Sequence, residues 1–417
     1  MQTKTPQTRA RPGDKYIYIA YADEKEYVKM MQDTTLNRQH ITAAWKAHPE
    51  LFDGNEQAEF EFHASYHSKK LGLSFRRIKF KRSGAVYTIR PSFVMPYMTG
   101  KTDEVEKALY LRHWNVSYEA LAHLFGKNAM YWYRMERSLG RPALVGTTVK
   151  DPNKLPQHLV ADEKFSWVNG ERVYVPVTVG GECILGIDVT AQADTTHLAQ
   201  SYGQFASEAR RLNPEYRPSS ICLDGWRATQ EVWRSLYPQI AIILCFLHSV
   251  LGIREVCSKA QAYEVLKRVW EVFKAGTQRA FSQRLRRVAE WSSQTWDGKV
   301  ASKIQRMQQN AARFTLAFKH ADAHRTSNAV DRAIDHLDRR FYAMRYGHSN
   351  CAAFAVLARS IALQYNFHPF GARLRAQDPK RLSRFADLNG YQYHACWLHN
   401  LLIASSRGGY SATHKFR

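Results

Sequence analysis

Residues 219–248, SSICLDGWRATQEVWRSLYPQIAIILCFLH, decide the fold. Two apolar runs, Ile221–Leu223 and Ile240–Phe246, are too short to cross a membrane and of a length suited to buried strands. Between them, Arg227–Leu236 carries Val232 and Leu236 four residues apart, a helical spacing. Strand, helix, strand predicts a crossover with parallel strands, and hence an α/β sheet. Asp224 falls at the C-terminal end of the first strand, where open α/β sheets place their ligand crevice. An acid there also serves as an ordinary cap for the following helix. Cys245 and His248 close the second strand.

Upstream, residues 158–190, HLVADEKFSWVNGERVYVPVTVGGECILGIDVT, read as three strands: His158–Phe165, Arg172–Val179 and Cys183–Val189. Asn169-Gly170 and Gly180-Gly181 are the hairpin turns between them. A helix over Thr196–Leu212 leads back to the strand that ends at Asp224. Asp162 lies in the first strand. Glu163 next to it points to the opposite face by simple alternation. Asp188 is a further strand acid, the substitute if Asp162 is not the functional one.

This order, LVADEK, then LDGW, then Cys-x-x-His at 245–248, resembles the RNase H-like catalytic core of DDE transposases. More narrowly it is similar to the prokaryotic insertion-sequence group related to Mutator-like elements, over roughly residues 100–417. The resemblance implies two-metal phosphoryl chemistry with Mg²⁺ (or Mn²⁺), Asp162 and Asp224 serving as catalytic metal ligands. It also implies that Cys245 and His248 shape the site near the scissile phosphate; on physical grounds alone they are equally a buried, hydrogen-bonded pair. A third acid is expected from a helix packed across the sheet. The family pattern places Glu three residues after an Asn; here Asn328 is followed by Asp331, and no Glu occurs from Trp291 onward. Asp331, Asp335 and Asp338 share one helical face beside the apolar stripe Val330, Ile334, Leu337 and Phe341. Asp335 has Arg339 four residues on as a structural partner, and Asp331 is the ligand expected from its place after Asn328. Asp is one methylene shorter than Glu, so either the helix sits closer or the copy is impaired.

The net charge of +23 and pI near 9.8 predict a polyanionic partner. Double-stranded DNA, as element ends and target, is the partner expected, gripped by a homodimer or higher oligomer. An anionic membrane surface is the rival. No apolar run reaches transmembrane length and Met1 begins no signal-peptide pattern, so no membrane partner is expected. A cytoplasmic, nucleoid-associated protein follows. The six cysteines are scattered, which indicates neither a disulfide frame nor a structural zinc site.

The expected architecture is an α/β catalytic core (RNase H-like, a mixed sheet flanked by helices) with an α-helical insertion and an N-terminal α+β DNA-binding region that includes a helix-turn-helix. Residues 1–100 form an accessory region, with a polar tail over 1–14, an amphipathic helix in LNRQHITAAWKAHPELF, and a basic hairpin turning at Ser83-Gly84. On the hairpin, Arg76, Arg77, Lys79 and Lys81 alternate with aromatic and aliphatic residues, as on a phosphate-tracking surface. Residues 101–150 hold helices Asp103–Trp114, Ser117–Leu124 and Asn128–Ser138, with Phe125-Gly126 as the tight turn. On the last helix Lys127, Asn128, Arg134 and Arg137 are placed to reach DNA. Pro142–Pro156 reads as a linker. The core begins over 151–250, a basic helical insertion occupies 251–325, and 326–417 completes the core and ends in a basic tail. Trp270, Trp291 and Trp296 are expected as core aromatics of the insertion or as a stacking surface for an unpaired base. The function expected is a DNA transposase that binds element ends and catalyses metal-dependent strand cleavage and transfer. The alternatives are a catalytically impaired, transposase-derived DNA-binding protein and a metal-dependent nuclease of the same fold.

Overall fold

A computed structural model describes residues 15–52, 59–296 and 298–410. The polar tail expected over 1–14 and the last seven residues lie outside the described residues.

The N-terminal region is a four-stranded sheet of order β1-β4-β3-β2, from β1 (Tyr16–Ile19), β2 (Phe60–Ser68), β3 (Leu73–Phe80) and β4 (Val86–Pro91). Helices α1 (Glu24–Gln32) and α2 (Thr34–Ala47) accompany it, with Trp45 of α2 stacked on Phe52 and edge-on to Phe80. The hairpin around Ser83-Gly84 and the amphipathic helix occur where expected. The sequence did not signal β1, because a buried parallel strand reading YIYI has no polar alternation.

Helices α3 (Thr102–His113), α4 (Tyr118–Phe125) and α5 (Ala129–Ser138) follow. Ser117 caps α4 by accepting from the Ala120 amide, and Asn128 caps α5 by accepting from the Tyr131 amide. Gly126, at φ 69°, ends α4 in a backbone conformation that disfavours other residues.

Pro142–Pro156 is not a linker. It contains α6 (Leu144–Thr148), all five residues of which are buried. The segment is apolar, and a Cβ on Gly146 would lie 1.7 Å from the Gly409 carbonyl oxygen, so two backbones touch there.

The core sheet has five strands: β5 (His158–Val168), β6 (Glu171–Gly180), β7 (Cys183–Ile187), β8 (Ser220–Leu223) and β9 (Ala241–Leu244). Their order is β7-β6-β5-β8-β9. The first three strands form antiparallel hairpins, and β5–β8 and β8–β9 are parallel, as the crossover pattern requires. The first turn uses Asn169-Gly170 (φ 51° and 81°), whereas the second is Gly181-Glu182, one residue later than expected. Helices α7 (Thr195–Leu212) and α8 (Arg227–Leu236) cover one face around Tyr202, Phe205, Val232 and Trp233. After β9 the chain turns into α9 (Phe246–Arg254), so Cys245 and His248 open a helix and do not close a strand.

The insertion folds as α10 (Lys259–Phe273), α11 (Gln278–Thr295), α12 (Lys299–Gln309) and α13 (Ala311–Thr315) around its own core of Val265, Val269, Leu285, Ile304 and Phe314, joined by Phe246. Trp270 packs on Phe246 and Phe273, and Trp291 packs edge-on to Trp296. All three tryptophans are therefore packing residues of the insertion.

Helices α14 (Asn328–Ala343) and α15 (Cys351–Phe367) cover the other sheet face. Short helices α16 (Ala372–Gln377), α17 (Arg384–Asn389), α18 (Trp397–Ala404) and α19 (Ser406–Gly409) complete the described chain. Residues 371–382, which hold α16, are mostly exposed and basic, whereas every residue of α18 is buried and Tyr18 of β1 donates its amide to Ser406 Oγ at 2.9 Å. The sequence WLHNLLIA is simply too apolar to stay in water. A single buried cluster runs from Ile17 through α3–α5, the sheet and α14–α15 to Ala404, so the N-terminal regions and the core share one interior.

Candidate functional site

Alternation along β5 sends neighbouring acids to opposite faces. Glu163 lies under α7 and α8, accepting from Tyr202 Oη at 2.8 Å and Thr229 Oγ1 at 2.6 Å. Burial pushes its carboxyl up to about 7, against the pull of those two hydroxyls. Asp162 faces the other way, toward α9 and α14. Its Oδ2 is 3.7 Å from His248 Nε2. Burial first, and then the charges of Asp224 and Asp331, push Asp162 up to about 6, while His248 pulls it down.

Asp224 follows β8 directly and accepts from the Trp226 amide at 2.8 Å, so it also shapes the turn into α8. Asp331 sits in the first turn of α14, where its Oδ2 accepts from Ser327 Oγ at 2.7 Å. Burial raises its pKa. The crossover of the sheet and the packing of α14 thus bring the charges of Asp224 and Asp331, far away in the chain, to bear on Asp162. The other helix acids are engaged elsewhere: Asp335 with Arg339 at 2.7 Å, and Asp338 with Lys164 at 3.0 Å. Asp188 follows β7 at the sheet edge, separated from β5 by β6, and is not among the charges that act on Asp162.

Cys245 and His248 stand beside these acids. The Cys245 sulfur accepts from the Ser327 amide at 3.1 Å and lies 3.3 Å from Ser327 Oγ. The neighbouring Cys222 thiol, then His248 and Ser327, hold Cys245 well below the usual thiol range. Cys245, and after it the Asp162 and Asp224 charges, hold His248 above its usual value. The Cys245–His248 attraction is electrostatic, since His248 Nδ1 is buried with no partner in hydrogen-bonding geometry. Ser327 was not singled out from the sequence. It occupies the N-cap position of α14, but its hydroxyl turns to Asp331 instead of capping the helix. Asn328 is exposed and lines a separate cavity of about 260 Å³ with His324, Arg332 and Arg384, away from Cys245.

Three carboxylates suit a hard divalent cation by chemistry. Among the described residues, however, no three His, Cys, Asp or Glu side chains converge closely enough to hold a metal ion. A cation held by all three acids requires them to stand closer than they do here.

The cations expected to meet DNA fall into two groups. Those of the hairpin are already occupied, because β2 brings acids alongside β3. Lys79 pairs with Glu61 at 3.3 Å and Lys81 with Glu59 at 2.5 Å. Arg76 donates to the Met31 carbonyl and lies over Phe62, and Arg77 lies over Tyr66. Lys79 and Lys81 thus have exposed acid neighbours, whereas Arg76 and Arg77 pair with no carboxylate among the described residues. Lys127, in the turn before α5, and Arg134 on α5 are exposed, and neither they nor Arg137 pair with a carboxylate among the described residues. Arg134 and Arg137 line a cleft of about 960 Å³ whose far wall is Met344–Ser349. The side-chain oxygen of Asn128 is spent on capping α5.

No protein-family model matches the chain, and no curated protein does. Among solved structures, a Mos1 transposase paired-end complex with the left transposon end is 12% identical, with a TM-score of 0.19, over 52% of this chain and 78% of that one. A Mos1 mariner paired-end complex with Mn is 11% identical, with a TM-score of 0.19, over 53% and 80%. Overlaps that slight carry no argument about fold or chemistry, which rest on the strand order and the placement of the acids.

Proposed function

We propose that this chain is a DDE-type DNA transposase with an RNase H-like core, of the prokaryotic insertion-sequence group related to Mutator-like elements. It binds the ends of its element and cuts and joins strands at the cleft lined by Asp162, Asp224 and Asp331. The observation that supports this reading is that the charges of Asp224, after β8, and Asp331, on α14, both act on Asp162 of β5. A divalent cation, Mg²⁺ or Mn²⁺, received by Asp162 and Asp224 with Asp331 as third donor, would supply Lewis-acid activation of water and of a DNA 3′-hydroxyl. His248 offsets the acids, so an approaching phosphate does not meet uncompensated negative charge. Ser327, anchored by Cys245, orients the Asp331 carboxylate toward the cleft. Lys127, ahead of α5, and Arg134 and Arg137 on α5 contact duplex DNA, and the protein works as a homodimer or larger assembly on the nucleoid.

The test is a nicking and strand-transfer assay on duplexes carrying the element's ends, with Mg²⁺ or Mn²⁺. The wild type should cleave and join, and Asp224→Ala should lose both while still binding DNA. Cleavage without joining would make the chain a nuclease of the same fold. Tight binding with no cleavage in either metal would establish the second reading, a DNA-binding derivative of a transposase. That reading is favoured by the acids standing apart and by the short Asp331 side chain.

A further inference from the structure

Beside the acid cleft, between α9 and the helical insertion, lies a cavity of about 270 Å³. Its polar lining is Lys303, Arg306, Asn310 and Arg313 from the insertion, with His248 and Ser249 from α9, and it holds no carboxylate. Gly225, the residue after Asp224, and Gly252 form part of its wall. A Cβ on Gly225 would meet nothing within 4 Å, so the backbone next to Asp224 stands clear at the cavity wall. Lys303 and Arg306 lie three residues apart on exposed positions of α12. Arg313 is half-buried and held by donating to Gln230 Oε1. Among the described residues none of the three cations is paired with a carboxylate. This differs from the hairpin, where Lys79 and Lys81 both have acid partners.

Three like charges around one small cavity repel each other, and an anion that fills it relieves that cost. The N-terminus of α9, which opens at Cys245 without a side-chain cap, adds a favourable dipole. The cavity lies below the range of ordinary small-molecule sites and suits one phosphate with part of its sugar. We propose that it is a phosphodiester subsite. It holds the backbone of the DNA strand one step from the linkage at the acids, and so uses the insertion to fix the strand's position. This rests on reading the acid cleft as the strand-processing site.

The experiment compares wild type, Lys303→Gln/Arg306→Gln, and a control of equal charge loss, Lys259→Gln/Lys267→Gln, on the exposed face of α10. Binding of a fluorescent duplex is measured against salt, and Asp224-dependent nicking is measured at saturating DNA. Losing the grip on that one phosphate should make the log–log salt slope shallower by about 0.7–0.9. Nicking should fall and cut positions should scatter in the cavity variant, with the control near wild type. If both variants lose slope equally, the effect is the general field and the subsite is refuted. An unchanged slope in the cavity variant refutes it as well, as does displacement of the duplex by inorganic phosphate at matched ionic strength in wild type only, which would mark a free-anion site. A wild type that neither binds nor nicks DNA sinks the proposed function itself, a result recognisable before either variant is assayed.

Discussion

Glu136 of α5 is the best place to test how the three-helix region is held to the core. Its carboxylate is fully buried. Oε2 accepts from Arg112 Nε at 3.1 Å and from Tyr118 Oη at 2.5 Å. Oε1 accepts from Arg340 Nη2 of α14 and from Gln364 Nε2 of α15 at 2.9 Å. Burial alone would raise its pKa, yet Arg340 and Arg112 hold it down to about 2. Two buried guanidinium groups share one carboxylate, so the cluster carries one net positive charge, and Glu136→Gln raises that to two with no water to screen them. Breaking a buried pair in this way costs about 3–5 kcal/mol. Arg340→Met instead leaves one cation on one anion and should cost less than half as much, and the double variant should be more stable than Glu136→Gln alone. At about 2 °C per kcal/mol, the low end for large domains, Glu136→Gln should lower Tm by roughly 6–10 °C. Thermal and urea unfolding followed by circular dichroism measure this. A Glu136→Gln protein within about 1 kcal/mol of wild type, or an Arg340→Met protein as unstable as Glu136→Gln, refutes the reasoning.

Other outcomes follow from the same structure. His113 stacks on His368 at 3.6 Å and lies 4.6 Å from His336, and burial lowers all three pKa values, to about 3 for His336 and about 4 for His368. They are neutral in the fold, and the unfolded chain gains protons below about pH 6.5. Their contribution is therefore complete above that pH and is lost as pH falls toward 4, at about 1.4 kcal/mol per pH unit for each histidine that stays neutral. Glu163, Asp162 and Asp331 have the opposite sign, the first two gaining only as pH falls below about 7 and about 6, so over this window they offset only part of the loss from the three histidines. A urea midpoint that fails to fall between pH 7 and pH 5 contradicts this. Gly140→Ala would place a Cβ 1.8 Å from the Val356 carbonyl oxygen on α15, and should cost about 3 kcal/mol or more in chemical denaturation. Lys79→Gln/Lys81→Gln should leave the salt slope of DNA binding within experimental scatter of wild type, because both side chains already have acid partners. A slope reduced by more than about 1 would return the hairpin to the DNA-binding surface.

How much of this was legible beforehand depends on the range of the interaction. The alternation in β5 and β6, the Asn169-Gly170 turn and the helix between β8 and β9 are neighbour-to-neighbour patterns, and they gave the sheet its strands and its parallel half. Ser117, Gly126 and Asn128 were readable as caps because capping is a contact over three or four residues. The apolar segment 143–149 misled because Pro and Gly read as a linker, whereas Gly146 is there so that Gly409 can approach it. The acid neighbours of Lys79 and Lys81 were not legible because β2, which carries Glu61 and follows Glu59, has too weak an alternation to be recognised.

From its residues alone, this chain determined a basic protein with an α/β sheet and two aspartates at corresponding places on adjacent strands, since charge and periodicity are additive or local. Only the tertiary structure decided which cations have acid neighbours, that Ser327 joins Cys245 to Asp331, that the charges of Asp224 and Asp331 reach Asp162, and that a basic cavity opens beside Cys245 and His248. Those are contacts between segments dozens to hundreds of residues apart, and a side chain's partner across such a distance is chosen by how helices and sheet pack, which no local pattern encodes.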